Sequence, residues 1–555
     1  MKKFWVGLVA AVVLCLPTLS QSQGTRDNLT IGVGQSPPSL HPGIEPTVVK
    51  FQVLRIGYRP ITGYDPDFKQ HCFLCTEVPT VANGRAKVVE LGGGKQGVTV
   101  RFTLHPAATW GDGTPITSKD VVFTWSVGSK PESGFAVPGI FQRISRVEVI
   151  DAKNFILHLN TTAYDFANLN DFALLPAHLE EPVVKSLPSP AEYNKRTTYN
   201  REPTTPGLWN GPYKLTQFQS GSFFVFEPNP HWWGAKPAFK RITFKVIENT
   251  STLEANLRSG DIDFTIWLTI DQALAMAKEP AMQQKYTFDY PLTLNYERVD
   301  LNLNNPLLKD KRVRQALLHA IDRDTIVKQL FENKYPVAHS WVTPADAGYD
   351  PGIAKVAFDP VKAKALLDAA GFKPGAGGIR VNAQNRRLSF EFVTTAGNKL
   401  RELVQQVLQN QWKQVGIEVV IKNVPARTFF GETVKKRQYT GLAMSAWTPT
   451  PEQPPLNTLA SMGIPTAANN FSGANYSGFS NAAFDKLTDQ LQAELDPAKR
   501  KPLWIELQKI YIDETPRLPL YFITDRIIAP KWLTGVIRPG RQASTNSFVE
   551  TWGVR

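Results

Sequence analysis

Cys72 and Cys75, spaced C-x-x-C within His71-Cys72-Phe73-Leu74-Cys75, are the residues whose type and spacing most directly suggest chemistry. Two thiols so placed can form a local disulfide that pins a loop, exchange electrons, or hold a metal together with His71. No second pair accompanies them, so the loop-pinning disulfide is the first expectation and the redox pair and metal site are its alternatives. Asp261 and Asp263 bracket an apolar residue and mimic a catalytic carboxylate pair. They follow a helix stop at Gly260, where acids cap and solvate the start of a strand. The eight histidines never recur at i, i+3 or i+4, so no local metal set is expected.

Motifs for catalysis are missing. The chain has no H-E-x-x-H, no G-x-S-x-G and no G-x-x-x-x-G-K-[ST]. Gly32-x-Gly34 has Pro37 at the third glycine position, and Gly92-Gly93-Gly94-Lys95 runs into Gln96 as a turn. No catalytic residue, cofactor or metal is assigned. What remains is aromatic surface beside Gly/Pro turns, at Trp110, Trp209, Trp232, Trp233, Trp267, Trp341 and Trp447. Such rings either close a core or form the rigid apolar walls of a ligand cleft.

The elements that must position these residues are legible from periodicity. Val98, Val100, Phe102 and Leu104 alternate with polar residues as a half-buried strand does. Thr117 with Asp120 three residues on is a helix start, and Leu253 and Leu257 mark a short helix stopped by Gly260. Residues 176–212 are rich in proline and read as a long excursion. From about residue 296 the pattern is α/β. Val313, Ala316, Leu317, Ala320 and Ile321 share one helix face, and Asp359-Pro360 opens another helix. Leu388–Thr394, Leu400–Val415 and Ile417–Ile421 form a strand–helix–strand unit with Gly416 as the stop, which implies parallel strands. Helices are expected at about 481–494 and 497–513, and a strand at 518–522.

At 555 residues the chain exceeds what one core supports, so at least two lobes are expected. Its 42 prolines, above the ~5% of average proteins, fit long stiff connections. The N-terminus reads Met1-Lys2-Lys3, an apolar run Phe4–Leu16 and small residues to Ser22, so residues 1–22 are expected to be a cleavable signal peptide. The run is too short to span a bilayer, and the expected location is periplasmic. Cys15 is disfavoured for lipid attachment because Leu14 precedes it. The formal charge of +13 falls to +11 without the two leader lysines and is dispersed without a run of like charges, which argues against nucleic acid as a partner.

The segment Val100 to Val121, with Trp110-Gly111-Asp112-Gly113-Thr114-Pro115-Ile116-Thr117-Ser118-Lys119-Asp120, resembles a signature of the family 5 solute-binding proteins of ABC importers, the dipeptide-, oligopeptide- and nickel-binding group. Further similar stretches are Gly211-Pro212-Tyr213-Lys214, Asn229-Pro230-His231-Trp232-Trp233-Gly234, Leu257-Arg258-Ser259-Gly260-Asp261-Ile262-Asp263, Asp310-Lys311-Arg312-Val313-Arg314-Gln315-Ala316 with Ala320-Ile321-Asp322-Arg323, and Val415-Gly416-Ile417. The matches are ordered along nearly the whole chain. The resemblance implies an α/β, two-lobed periplasmic-binding-protein clamshell of the large type II class with an extra inserted subdomain. Lobe one would take 23–292 plus 519–555, with the insertion at about 66–204, and lobe two 293–518.

The resemblance further implies a non-enzymatic, monomeric receptor that encloses a peptide-like or other small solute and delivers it to an ABC permease in the inner membrane. Peptide binders of the family hold an extended backbone against a strand, with an acid beyond it fixing the ligand's α-amino group. Here that strand is Gly441–Trp447, but Thr450 stands at the acid's place and Glu452 lies two residues further. Either Glu452 substitutes, or the solute lacks an α-ammonium or is held through another group. The implied ligand-binding residues are Trp447, Ser445, Ala446, Thr450, Glu452, Asn469, Asn470 and Tyr476 from lobe two. Trp267, His41 and the Ser36–Pro38 loop would face them from lobe one. Two other classes stay in view: a receptor-fold chaperone or sensor partner that binds another protein, and an exported enzyme on an unrecognised fold.

Overall fold

The computed structural model describes residues 26–45, 47–469, 471–537 and 545–555. The expected signal peptide and Asn470 lie outside them.

Two large sheets organise the chain. The first has seven strands in the order Tyr286–Asp289, Ile527–Pro530, Phe264–Thr265, Asn28–Val33, Arg241–Val246, Phe223–Pro228, Tyr213–Gln219. Asn28–Val33 lies at its centre, parallel to both neighbours. The second sheet has five strands in the order Glu418–Ile421, Ser389–Val393, Leu442–Trp447, Leu292–Leu301, Arg517–Thr524. Its first three strands are parallel, and Leu292–Leu301 runs antiparallel to both of its neighbours.

A four-stranded sheet, Ala86–Gly92, Lys95–Thr103, Asn154–Leu159 and Ile144–Val149, is inserted into the first lobe. Its inward side chains, Val98, Phe102 and Leu157, share one continuous core with Leu29 and Phe226 of the seven-stranded sheet. The region read as a long excursion is largely helical, with helices at Ala177–Lys185, Tyr193–Arg196 and Thr198–Arg201. Its prolines include Pro190 and Pro206 in first turns, where the missing N–H costs nothing.

Local signals became local structure. Thr117 and Asp120 form a reciprocal capping box at the head of Ser118–Gly128. Gly260 ends Thr250–Ser259 with a left-handed φ of 86°. Ser389–Val393, the helix Lys399–Gln414 and Glu418–Ile421 make the parallel unit.

The lobes are joined by two crossings that lie side by side. The chain leaves the first sheet after Asp289 and enters the second at Leu292. It returns after Thr524, because Arg517–Thr524 stays paired with Leu292–Leu301 to its end, so residues 519–524 belong to the second sheet rather than to lobe one. The Asp525 N–H donates to the Pro291 carbonyl at 3.0 Å and ties the crossings together. Beside them the helix Ile270–Ala277 of the first lobe places Ile270 and Leu274 in the core of the second.

Candidate functional site

The open end of the Leu442–Trp447 strand is built by a mismatch in strand length. On one flank its residues Leu442 to Trp447 pair with Leu301 to Tyr296. On the other, Ser389–Val393 reaches only Leu442 and Ala443. Beyond that point the Thr394 hydroxyl donates to the Met444 carbonyl at 2.9 Å, and Ser445, Ala446 and Trp447 run past the end of the neighbouring strand. A strand flank left without a paired neighbour among the described residues, as here, accepts an added extended backbone.

Three of the expected residues gather here around one cation. Arg298 is fully buried, donates to the Ser445 carbonyl at 3.4 Å and lies 5.6 Å from the ring centroids of Tyr296 and Trp447. Its guanidinium pairs with Asp300 at 3.2 Å, which also takes Arg517 at 2.6 Å. This Arg–Asp–Arg triad is wholly buried and fixes the floor under Trp447, because removing one member would strand a charge in the interior. The Tyr476 phenol is held above its ordinary pKa, first by burial, with Arg298 opposing. Ser445 is buried; Ala446 and Trp447 are half-buried.

Glu452 is not free. Its carboxylate meets Arg500 at 3.3 Å, its carbonyl accepts from the same guanidinium at 2.8 Å, and its backbone takes a φ of 53°. The Glu452 N–H donates to Asp346 at 2.8 Å, and the other Asp346 oxygen accepts from the Gly348 N–H at 2.7 Å. Asp346 lines a small cavity with Leu294, Trp341, Pro449, Thr450 and Trp504. It is therefore the carboxylate beside Thr450, brought there from a loop about a hundred residues upstream in the sequence. Burial pushes its pKa up to about 6, against the two N–H donors, and the Glu452 charge adds to the rise.

On the first lobe Trp267 stands just past the carboxyl ends of Asn28–Val33 and Phe264–Thr265, where parallel sheets open toward ligands. Its Nε1–H donates to Gln52 at 2.6 Å. Its ring packs so close to Gly34 that a Cβ there would sit 2.9 Å from the indole.

His41 does not belong to the site. It is fully buried in the first core, edge-on to Phe135, Tyr193 and Tyr199. The Tyr193 hydroxyl donates to Glu180 at 2.7 Å, so it must accept from His41 Nε2–H at 3.1 Å, while Nδ1 accepts from the Gly43 N–H. Burial and then the Lys50 charge hold the ring well below its ordinary pKa, in the neutral form. Asn469 is also committed elsewhere: its side chain accepts from the Thr466 and Ser472 N–H groups and donates to the Ile464 carbonyl, closing its own loop. Cys72 and Cys75 form a disulfide, and no cluster of metal-ligating side chains occurs among the described residues. Sequence reasoning missed Asp346, Arg298, Arg500 and Gln52. Nothing in their local sequence distinguishes them from ordinary loop, strand and helix residues.

Residues 95–470 match the family described as bacterial extracellular solute-binding proteins, family 5 Middle. The chain is 27% identical over 456 residues to the oligopeptide-binding protein AppA of Bacillus subtilis, covering 81% of this chain and 79% of that one. It superposes with a TM-score of 0.72 and 29% identity on the oligopeptide-binding protein of Thermus thermophilus complexed with a pentapeptide, covering 96% and 97% of the two chains. The periplasmic EDTA-binding protein EppA gives a TM-score of 0.79 at 18% identity, covering 96% and 97%, a likeness of fold.

Proposed function

Because the chain belongs to the family 5 bacterial extracellular solute-binding proteins, we propose that this ABC-importer solute receptor captures a peptide-like solute between its lobes and hands it to a membrane permease. It works outside the cytoplasmic membrane and breaks no bond. No helix among the described residues is long and apolar enough to cross a membrane.

The observation that carries the peptide reading is the unpaired flank of Ser445-Ala446-Trp447, with the Trp447 ring at its end. An extended peptide adds its main-chain hydrogen bonds to such a flank, and the ring supplies an apolar wall for a side chain. Met444 to Trp447, Tyr476 and, from the other lobe, Trp267 are the contact residues of this reading. Closure then gains stability only from contacts made to both lobes at once.

The amino end of the solute is held differently from the pattern that an acid at position 450 would give. Glu452 is engaged by Arg500, so the carboxylate that lines the cavity with Thr450 is that of Asp346. Its oxygens already accept the Glu452 and Gly348 N–H groups and keep further lone pairs for a cation. At neutral pH it is mostly ionised and suited to an ammonium group. Native purification followed by mass spectrometry of the co-purified small molecule tests the solute class directly. A peptide panel then tests the acid: Asp346→Asn weakens binding of a free-amino peptide about tenfold and leaves its N-acetylated form unchanged. Equal losses for both peptides would assign Asp346 to loop structure alone. A stable complex with another protein and no thermal shift with any small solute would replace the receptor reading by a chaperone or sensor role.

A further inference from the structure

Arg500 is built as a docked cation. It is almost wholly buried on the helix Pro497–Glu514 of the second lobe. Its guanidinium donates to the carbonyls of Leu491 at 3.0 Å, Glu494 at 3.4 Å and Glu452 at 2.8 Å, and meets the Glu452 carboxylate at 3.3 Å. Every one of these partners belongs to its own lobe. Its remaining face looks across the cleft, where the Tyr164 ring of the first lobe lies 4.4 Å from Cζ.

Tyr164 is equally fixed from its side. It follows the strand Asn154–Leu159, between Ala163 and Phe166, which are buried in the first lobe. Its backbone N–H crosses to the Gln492 carbonyl at 3.0 Å, and Leu495, three residues on, packs against the first core. The charged and titratable groups around the pair are Asp165 and Tyr64 from the first lobe and Asp346 and Glu452 from the second. Asp165 is already paired with Arg143 at 2.7 Å. The contact therefore joins segments other than the two crossings at Pro291 and Asp525.

We propose that Tyr164 and Arg500 form a latch that holds the two lobes closed and sets the rate at which the solute leaves. This rests on the reading that solute is captured between the lobes. A guanidinium that its own lobe has already desolvated and oriented loses little entropy on meeting the ring, so the contact favours the closed state. Being a single ring and a single hydrogen bond, it remains reversible. The contact needs the π face and not the phenolic oxygen.

The test uses the full mature chain freed of solute by unfolding and refolding, with spin labels at Lys195→Cys and Lys486→Cys, both exposed and on different lobes. Electron–electron resonance distances are compared for the parent, Tyr164→Leu and Tyr164→Phe. Tyr164→Leu keeps apolar bulk and leaves every Arg500 bond within the second lobe intact. The expected result is a closed-to-open ratio about 3- to 10-fold lower in Tyr164→Leu and unchanged in Tyr164→Phe. An unchanged distribution in Tyr164→Leu overturns the latch, as does a parent protein without a closed population. No solute enters this measurement, so the latch can fail while the receptor reading stands. The reverse failure appears only in the peptide panel.

Discussion

At the scale of single residues, the same side-chain type serves opposite ends depending on what surrounds it. His41 combines burial, a neutral ring and a neighbouring Lys50 that donates to its carbonyl at 2.8 Å. A residue so placed holds the core together. His41→Ala is expected to lower unfolding stability by about 2–4 kcal/mol, from lost packing and two hydrogen bonds, with solute affinity unchanged. A measured loss of affinity without loss of stability would return His41 to the cleft. Its folded pKa lies below the unfolded value, so the unfolded chain takes up the extra proton. Its contribution to stability is therefore lost as pH falls below about 6.5. Asp346 acts with the opposite sign. Its carboxyl is raised from 3.8 to about 6, so the folded chain holds more protons in that window and stability falls as pH rises through it. The swing is about 3 kcal/mol. Chemical denaturation at a series of pH values should show this slope in the parent and a flatter one in Asp346→Asn, and an identical slope in both would assign it to another group.

Elements were read more securely than residues, because what defines them is local. Val313, Ala316 and Leu317 do form the buried face of the helix Lys311–His319, and Asp310 caps it. Gly416 illustrates the reason. Lys399–Gln414 must stop there because the next strand runs alongside Ser389–Val393, and the turn uses a φ of 86°. A Cβ at 416 would also meet Arg380 Cγ at 2.7 Å and the Gly378 carbonyl at 3.1 Å. Gly416→Ala should therefore cost more than about 1–2 kcal/mol in denaturant unfolding, with solute binding intact. A smaller loss would mean that the turn relaxes without strain. Where element reading fell short, the missing information was tertiary. Arg517–Thr524 has the apolar pattern of a buried strand, but only its pairing with Leu292–Leu301 shows which sheet it completes.

For the whole molecule, the two crossings and the helix Ile270–Ala277 couple the lobes more closely than a bare hinge. Ile270 and Leu274 leave the first lobe to enter the second core, and Lys278 meets Glu332 of the second lobe at 2.5 Å. Breaking either lobe thus exposes apolar surface of the other. Differential scanning calorimetry of the solute-free protein is expected to show one unfolding transition rather than two, and resolved transitions would establish independent lobes. A solute at about 100 times its Kd should raise that single transition by about 2.7 kcal/mol of stability.

The amino-acid sequence by itself determined the capped helices, the parallel unit around Lys399–Gln414 and the need for more than one lobe. An ordered series of short motifs carried the family resemblance that implied the clamshell. For Cys72 and Cys75 the sequence left the disulfide as the first of three possibilities, which the structure decided. The helices and the parallel unit depend on periodicity, caps and spacing within a few residues, so they survive without knowledge of distant neighbours. The tertiary structure alone decided the composition of the cleft. It sent His41 inward, closed Asn469 on its own loop, tied Glu452 to Arg500, and set Asp346 beside Thr450 and Tyr164 against Arg500. Apart from the Asn469 loop, these are meetings between segments well separated along the chain, by more than three hundred residues for Tyr164 and Arg500. Close approach of that kind is fixed by how whole sheets pack, and no local pattern encodes it.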